Sequence, residues 1–168
     1  MSRSHLSSSR SLLRFEHLIQ INDPADHRLP VMSREALWQG LVYRARYPDH
    51  FNPALQSTLE PESETSFVRV LAAGDMNLRD QVTLMPDTEI QTLIDGTSQA
   101  IHAESITRIE EPQPGFLFVR FIYCRDSISS QGGLDADEFL KSAYLQNDRE
   151  AIATIRRMIA EGWAGRPV

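Results

Sequence analysis

The chain has 168 residues, 41% of them hydrophobic and 24% charged, which is the composition of one ordinary globular domain. A chain of this length buries roughly 70% of its unfolded surface, so it holds a core without disulfide or metal staples. No run of about 18 apolar residues occurs, which excludes a membrane-spanning helix. The formal charge is −6, and the basic residues Arg3, Arg10 and Arg14 open the chain with no acid among them. The remainder is therefore more acidic still and repels a phosphate backbone, which argues against nucleic acid as a partner. Cys124 is the single cysteine. No internal disulfide can form, and the expected location is the cytoplasm.

Residues 2–11 contain six serines with Arg3, His5 and Arg10 between them. The absent apolar run rules out a secretory signal, whereas an Arg- and Ser-rich, acid-free start matches a mitochondrial transit peptide in composition. A disordered extension over residues 1–13 is the simpler expectation. It is followed by one domain over 14–163 and a short tail over 164–168.

The first ordered element is a strand, because Phe15, His17, Ile19 and Ile21 alternate with more polar neighbours. Asn22-Asp23-Pro24 ends it. Ser33 is placed to cap a helix over 34–46, with Leu37, Trp38, Leu41, Val42 and Ala45 along one stripe. Pro48 then starts a short second helix through Phe51. From there the hydrophobic period changes from 3.6 to 2, predicting strands at 54–60, 65–73, 77–85, 89–95, 100–110 and 116–125. The breaks between them carry turn residues and are short, which favours antiparallel hairpins. Gln131-Gly132-Gly133 leads into a long helix over 136–161, with Leu140, Tyr144, Ala151, Ile155 and Met158 on one face and Gly162 as its stop. The order predicts an α+β fold: a seven-stranded antiparallel curved sheet around a long C-terminal helix, with two short helices after strand 1. Such a wrapped sheet leaves a cavity between itself and the helix.

Sorting the strand faces gives an ionic outer side and a mostly aliphatic inner one. Three inward residues break that pattern: His17, Asp80 and Tyr123. A carboxylate on an apolar face must be paired, protonated or bound to a ligand, and His17 is the inward group that could share a proton with Asp80 near neutral pH. Asp80 and His17 are accordingly the candidate acid–base pair. The ordinary alternative is that all three are satisfied core polar groups. The residues expected to line a ligand cavity are Trp38, Phe51, Val82, Thr92, Ser105, Phe121, Tyr123 and Tyr144. No phosphate-binding loop, nucleophile elbow or metal-ligand spacing is present, so the sequence calls for no metal and no cofactor.

Leu29-Pro30-Val31-Met32-Ser33-Arg34-Glu35-Ala36-Leu37-Trp38-Gln39-Gly40-Leu41, Arg46-Tyr47-Pro48-Asp49-His50-Phe51, and Ala143-Tyr144 with Ile155-Arg156 and Gly162 together resemble the AtaL-like family of the START-related (SRPBCC) superfamily. The resemblance covers about residues 14–163. It implies a helix-grip fold, in which a seven-stranded antiparallel sheet grips the final helix around a hydrophobic cavity. The superfamily includes lipid and hormone carriers, polyketide cyclases and aromatases, and some hydrolases. Asp80 falls where members often carry an acidic residue. The leading expectation is a protein that binds a largely hydrophobic small molecule in its cavity, and the alternative is a polyketide cyclase- or dehydratase-like enzyme using Asp80 and His17 there. A third reading is a partner-binding protein with a collapsed cavity. The sequence leaves a homodimer open.

Overall fold

The computed structural model describes residues 11–127, 134–163 and 165. The Ser/Arg-rich segment through Arg10, the Gln131-Gly132-Gly133 turn and most of the C-terminal segment lie outside the described residues. Seven strands follow one another antiparallel: β1 (Leu12–Asn22), β2 (Gln56–Pro61), β3 (Ser66–Ala73), β4 (Met76–Met85), β5 (Glu89–Ile94), β6 (Ala103–Gln113) and β7 (Phe116–Asp126). Their order across the sheet is β1-β7-β6-β5-β4-β3-β2. Helix α1 (Arg34–Arg46) and one turn of 3-10 helix (Pro48–His50) lie between β1 and β2, and α2 (Leu134–Ala160) closes the chain. This is the helix-grip arrangement expected above. The second short helix is only that 3-10 turn, β1 begins two residues earlier than the 1–13 tail allows, and α2 spans 134–160 instead of 136–161.

Each boundary has a local cause. Ser33 caps α1 by accepting a hydrogen bond from the Ala36 amide through Oγ at 3.0 Å, and Pro48 sits where a helix start tolerates a missing N–H. The β1–α1 loop is closed by the buried Asn22 side chain, which donates to the Met32 carbonyl at 2.7 Å and accepts from the Met32 amide at 2.9 Å. Ile21 is the extra residue of a bulge in the β1–β7 pairing. Its carbonyl is thereby released from the ladder, and Arg156 of α2 donates to it and to the Pro30 carbonyl.

The antiparallel register aligns the inward side chains in rows. Leu84, Ile90, Thr107, Phe121 and His17 form one row, Val82, Thr92, Ser105, Tyr123 and Phe15 the next, and Ile94, Ala103 and Arg125 a third. On the opposite face, cross-strand ion pairs such as Arg120–Glu110 and Arg79–Glu60, both at 2.6 Å, mark the solvent side. Pairs this exposed add little stability, but a one-residue slip would bury them, so they help to specify the register.

The core lies where Leu37 and Leu41 of α1, Ile152 and Ile155 of α2 and Ile21, Phe67, Val82, Val119 and Phe121 of the sheet meet. Gly40 lets the two helices approach. A Cβ built there would stand 2.5 Å from Ile155 Cγ2, well inside van der Waals contact. Gly40→Ala gains about 1 kcal/mol of helix propensity, but overpacking costs about 1–3 kcal/mol. The expected outcome is a net loss, read as a lower urea midpoint at unchanged m-value; a midpoint equal to or above that of the parent would show that the helices do not pack at this contact.

Candidate functional site

A cavity of about 590 Å³ lies between the sheet and the two helices, within the roughly 300–1,000 Å³ common for small-molecule sites. It follows from strand periodicity. On β4, Met76, Leu78 and Asp80 all line it, and burial increases from exposed Met76 to Asp80 at 4% exposure. Four residues of strand span about 13 Å at about 3.3 Å each, so the cavity runs from a surface mouth to a buried floor. Leu41, Leu55, Leu71, Leu78, Ile90, Ile94 and Ile101 give its lining an aliphatic surface, and polar side chains stand among them.

Two charged assemblies stand on that wall. Asp80 takes a two-pronged contact from Arg69, with Nε to Oδ1 at 2.8 Å and Nη2 to Oδ2 at 2.5 Å. The register dictates this, because Arg69 and Asp80 are directly opposed on β3 and β4. Arg69 also donates from Nη1 to the Ala45 carbonyl at 3.0 Å, so the same guanidinium meets the negative end of α1. The second assembly centres on Asp148 of α2, which is fully buried. Arg44 donates to Oδ1 at 2.8 Å, while His17 Nε2 at 2.8 Å and the Tyr123 hydroxyl at 2.5 Å both reach Oδ2. A carboxylate only accepts, so His17 carries its hydrogen on Nε2. Burial, and then the negative charge of Asp148, push the Tyr123 hydroxyl well above its ordinary range, and the phenol keeps its proton.

The expected pairing of Asp80 with His17 is corrected by these contacts: each residue has a different partner. A guanidinium opposite Asp80 in register forms both hydrogen bonds at once, which imidazole cannot do. Of the residues expected to line a cavity, Thr92, Ser105, Tyr123 and Tyr144 do so. Thr92 Oγ1 and Ser105 Oγ are 2.6 Å apart and satisfy each other. Val82 and Phe121 are fully buried in the core, and Phe51 packs at its edge. Trp38 faces a separate surface pocket of about 190 Å³ beside Val42, Tyr43 and Tyr47, because the α1 stripe is wider than the surface it buries.

Sequence reasoning missed Arg44, Arg69, Arg125 and Asp148. Asp148 left a trace: four residues after Tyr144, it interrupts the stripe that continues at Ala151 and Ile155. Arg69 and Arg125 lie on strands at inward register positions. Among the described residues no group of three His, Cys, Asp or Glu side chains could hold a metal ion, and no helix is long and apolar enough to cross a membrane.

Asp148 is expected to be a stability determinant. Asp148→Asn leaves Arg44 without its counter-charge on a site that is 25% exposed, and breaking such a pair costs about 3 kcal/mol. Chemical denaturation reads this as a lowered midpoint, and an unchanged midpoint would contradict the hub role.

Solved structures share the fold, among them three that span different proteins. The aromatase/cyclase Zhui from Streptomyces sp. R1128 superposes with a TM-score of 0.63 at 16% identity, over 92% of this chain and 100% of that one. The di-domain aromatase/cyclase BexL from the BE-7585A biosynthetic pathway gives 0.62 at 14% identity over 93% of this chain, which spans about half (51%) of BexL. Ara h 8.0201 gives 0.58 at 12% identity, over 88% and 99% of the two chains. At these identities the likeness concerns the fold. No curated protein matches the chain. The family model described as AtaL, acetylaranotin biosynthesis cluster protein L, matches residues 19–162, and this establishes that the chain belongs to the AtaL family.

Proposed function

We propose that this protein binds a largely hydrophobic small molecule in the cavity between its sheet and α2. The observation that carries the reading is the cavity itself, about 590 Å³, whose lining combines aliphatic side chains with fixed polar groups. That is the combination by which apolar pockets gain affinity from burial and orientation from polar contacts. Tyr123 and Tyr144 line the cavity with ring centroids 4.3 Å apart, tilted by 53°, and supply polarisable aromatic contacts for a ligand ring.

A cyclase- or dehydratase-like catalyst is the second reading, favoured by the aromatase/cyclase proteins that share the fold. It needs a group in the cavity able to exchange a proton near neutral pH. Among the groups lining the cavity, the buried carboxylates Asp80 and Asp148 already accept from arginine and Tyr123 holds its proton, while His17 contacts Asp148 and does not line the cavity. Binding therefore leads.

The test uses N-phenyl-1-naphthylamine, a neutral fluorescent aromatic probe. The parent protein is expected to bind it near one-to-one with enhanced emission. Ala103→Trp places a ring into the cavity from β6 and should weaken binding at least tenfold while circular dichroism stays unchanged. Absence of binding to the parent, or equal binding by a folded A103W variant, would overturn the reading.

A further inference from the structure

Three arginines line the cavity: Arg44, Arg69 and Arg125. The first two are neutralised by Asp148 and Asp80. Arg125 differs. It is half-buried on β7, in the inward row with Ala103 and Ile94, and it forms no ion pair among the described residues. Its guanidinium donates from Nη1 to the Tyr144 hydroxyl at 3.0 Å and from Nε to the Asp126 carbonyl at 3.3 Å; both acceptors are uncharged oxygens. The exposed carboxylate on the same wall, Glu104, lies 3.5 Å from His102.

The contacts leave donors to spare. A guanidinium has five N–H groups in a planar fork, and Nη2 of Arg125 has no partner among the described residues. Because the Tyr144 oxygen accepts from Arg125, its own hydrogen is free to donate. Two donors, one of them cationic, are thus held together beside the aliphatic side chains Ile94 and Ile101, with exposed Asn147 of α2 on the same lining. A cation partly removed from water gains most from an anion that can take two hydrogen bonds.

We propose that the cavity selects ligands carrying an anionic head group, a carboxylate or a group of like charge and geometry, which pairs with Arg125 and Tyr144 while the apolar body lies along Ile94, Ile101 and Leu78. This rests on the cavity-binding reading above and adds the chemical class of the ligand.

The experiment compares two probes that share an aromatic body: anionic 1-anilinonaphthalene-8-sulfonate and neutral N-phenyl-1-naphthylamine. In the parent protein the anion is expected to bind about tenfold more tightly, equivalent to about 1.4 kcal/mol, and the preference should shrink as sodium chloride is raised. Arg125→Gln should cut the ratio of the two affinities at least tenfold, whereas Arg125→Lys, which keeps the charge, should hold it within about threefold. An anion preference that is absent from the parent, or a ratio unmoved in R125Q, overturns the head-group proposal while neutral-probe binding keeps the cavity reading. Failure of both probes to bind the parent overturns both. If R125Q does not fold, the salt dependence of the ratio in the parent decides: a ratio independent of salt overturns the proposal.

Discussion

Asp148 is a carboxylate with no solvent exposure on the face of α2 that meets the core, and an isolated charge in such a place is prohibitively costly. Its three partners come from three different elements: Arg44 from α1, His17 from β1 and Tyr123 from β7. Hydrophobic burial would hold α2 against the sheet in many similar poses, since it has no direction. Three hydrogen bonds converging on one carboxylate leave far fewer. Losing α1 would strand the buried charge and losing β1 or β7 would remove a hydrogen bond from it, so the long helix, the short helix and the sheet edge are fixed together.

That constraint bears on why the space beneath the helix stays open. Gly40 lets α1 close on Ile155 of α2, while the C-terminal end of the same helix is held to the walls by Arg44 on Asp148 and by Arg69 on the Ala45 carbonyl. Leu41, Ala45 and Pro48, along and just beyond this stretch, line the cavity. The small side chains on the sheet opposite, Thr92, Ala103, Ser105 and Thr107, leave the volume unfilled. In both assemblies an arginine meets a buried carboxylate, which fixes the floor of the cavity. Among the described residues Arg125 is held by neutral oxygens, which is why we propose it as the wall group that meets a ligand.

The fold was legible because its signals are local. Alternation placed Leu78, Asp80 and Val82 on one face, turn residues separated the hairpins, and the stripe from Leu140 to Met158 announced the helix. The site was less so, because a partner is a tertiary fact. Asp80 could be read as an inward acid, but its counter-charge depended on β3 lying beside β4 in a register that puts Arg69 opposite. His17 could be read as inward, but its partner came from α2, 131 positions along the chain. Long arginine side chains hide best of all. Arg44 reads as a polar interruption in an amphipathic helix until the neighbouring carboxylate is known, and the position of Arg125 near the end of a strand carries no signal of its own.

The central claim is that the space between sheet and α2 receives a ligand. A crystal structure of the protein equilibrated with N-phenyl-1-naphthylamine tests it most directly. Ordered density is expected between Leu78, Ser105, Tyr123 and Tyr144, with the Arg44–Asp148 and Arg69–Asp80 contacts intact. Probe density confined to the surface pocket beside Trp38 and Tyr43, with side chains closing the inner space, would contradict it.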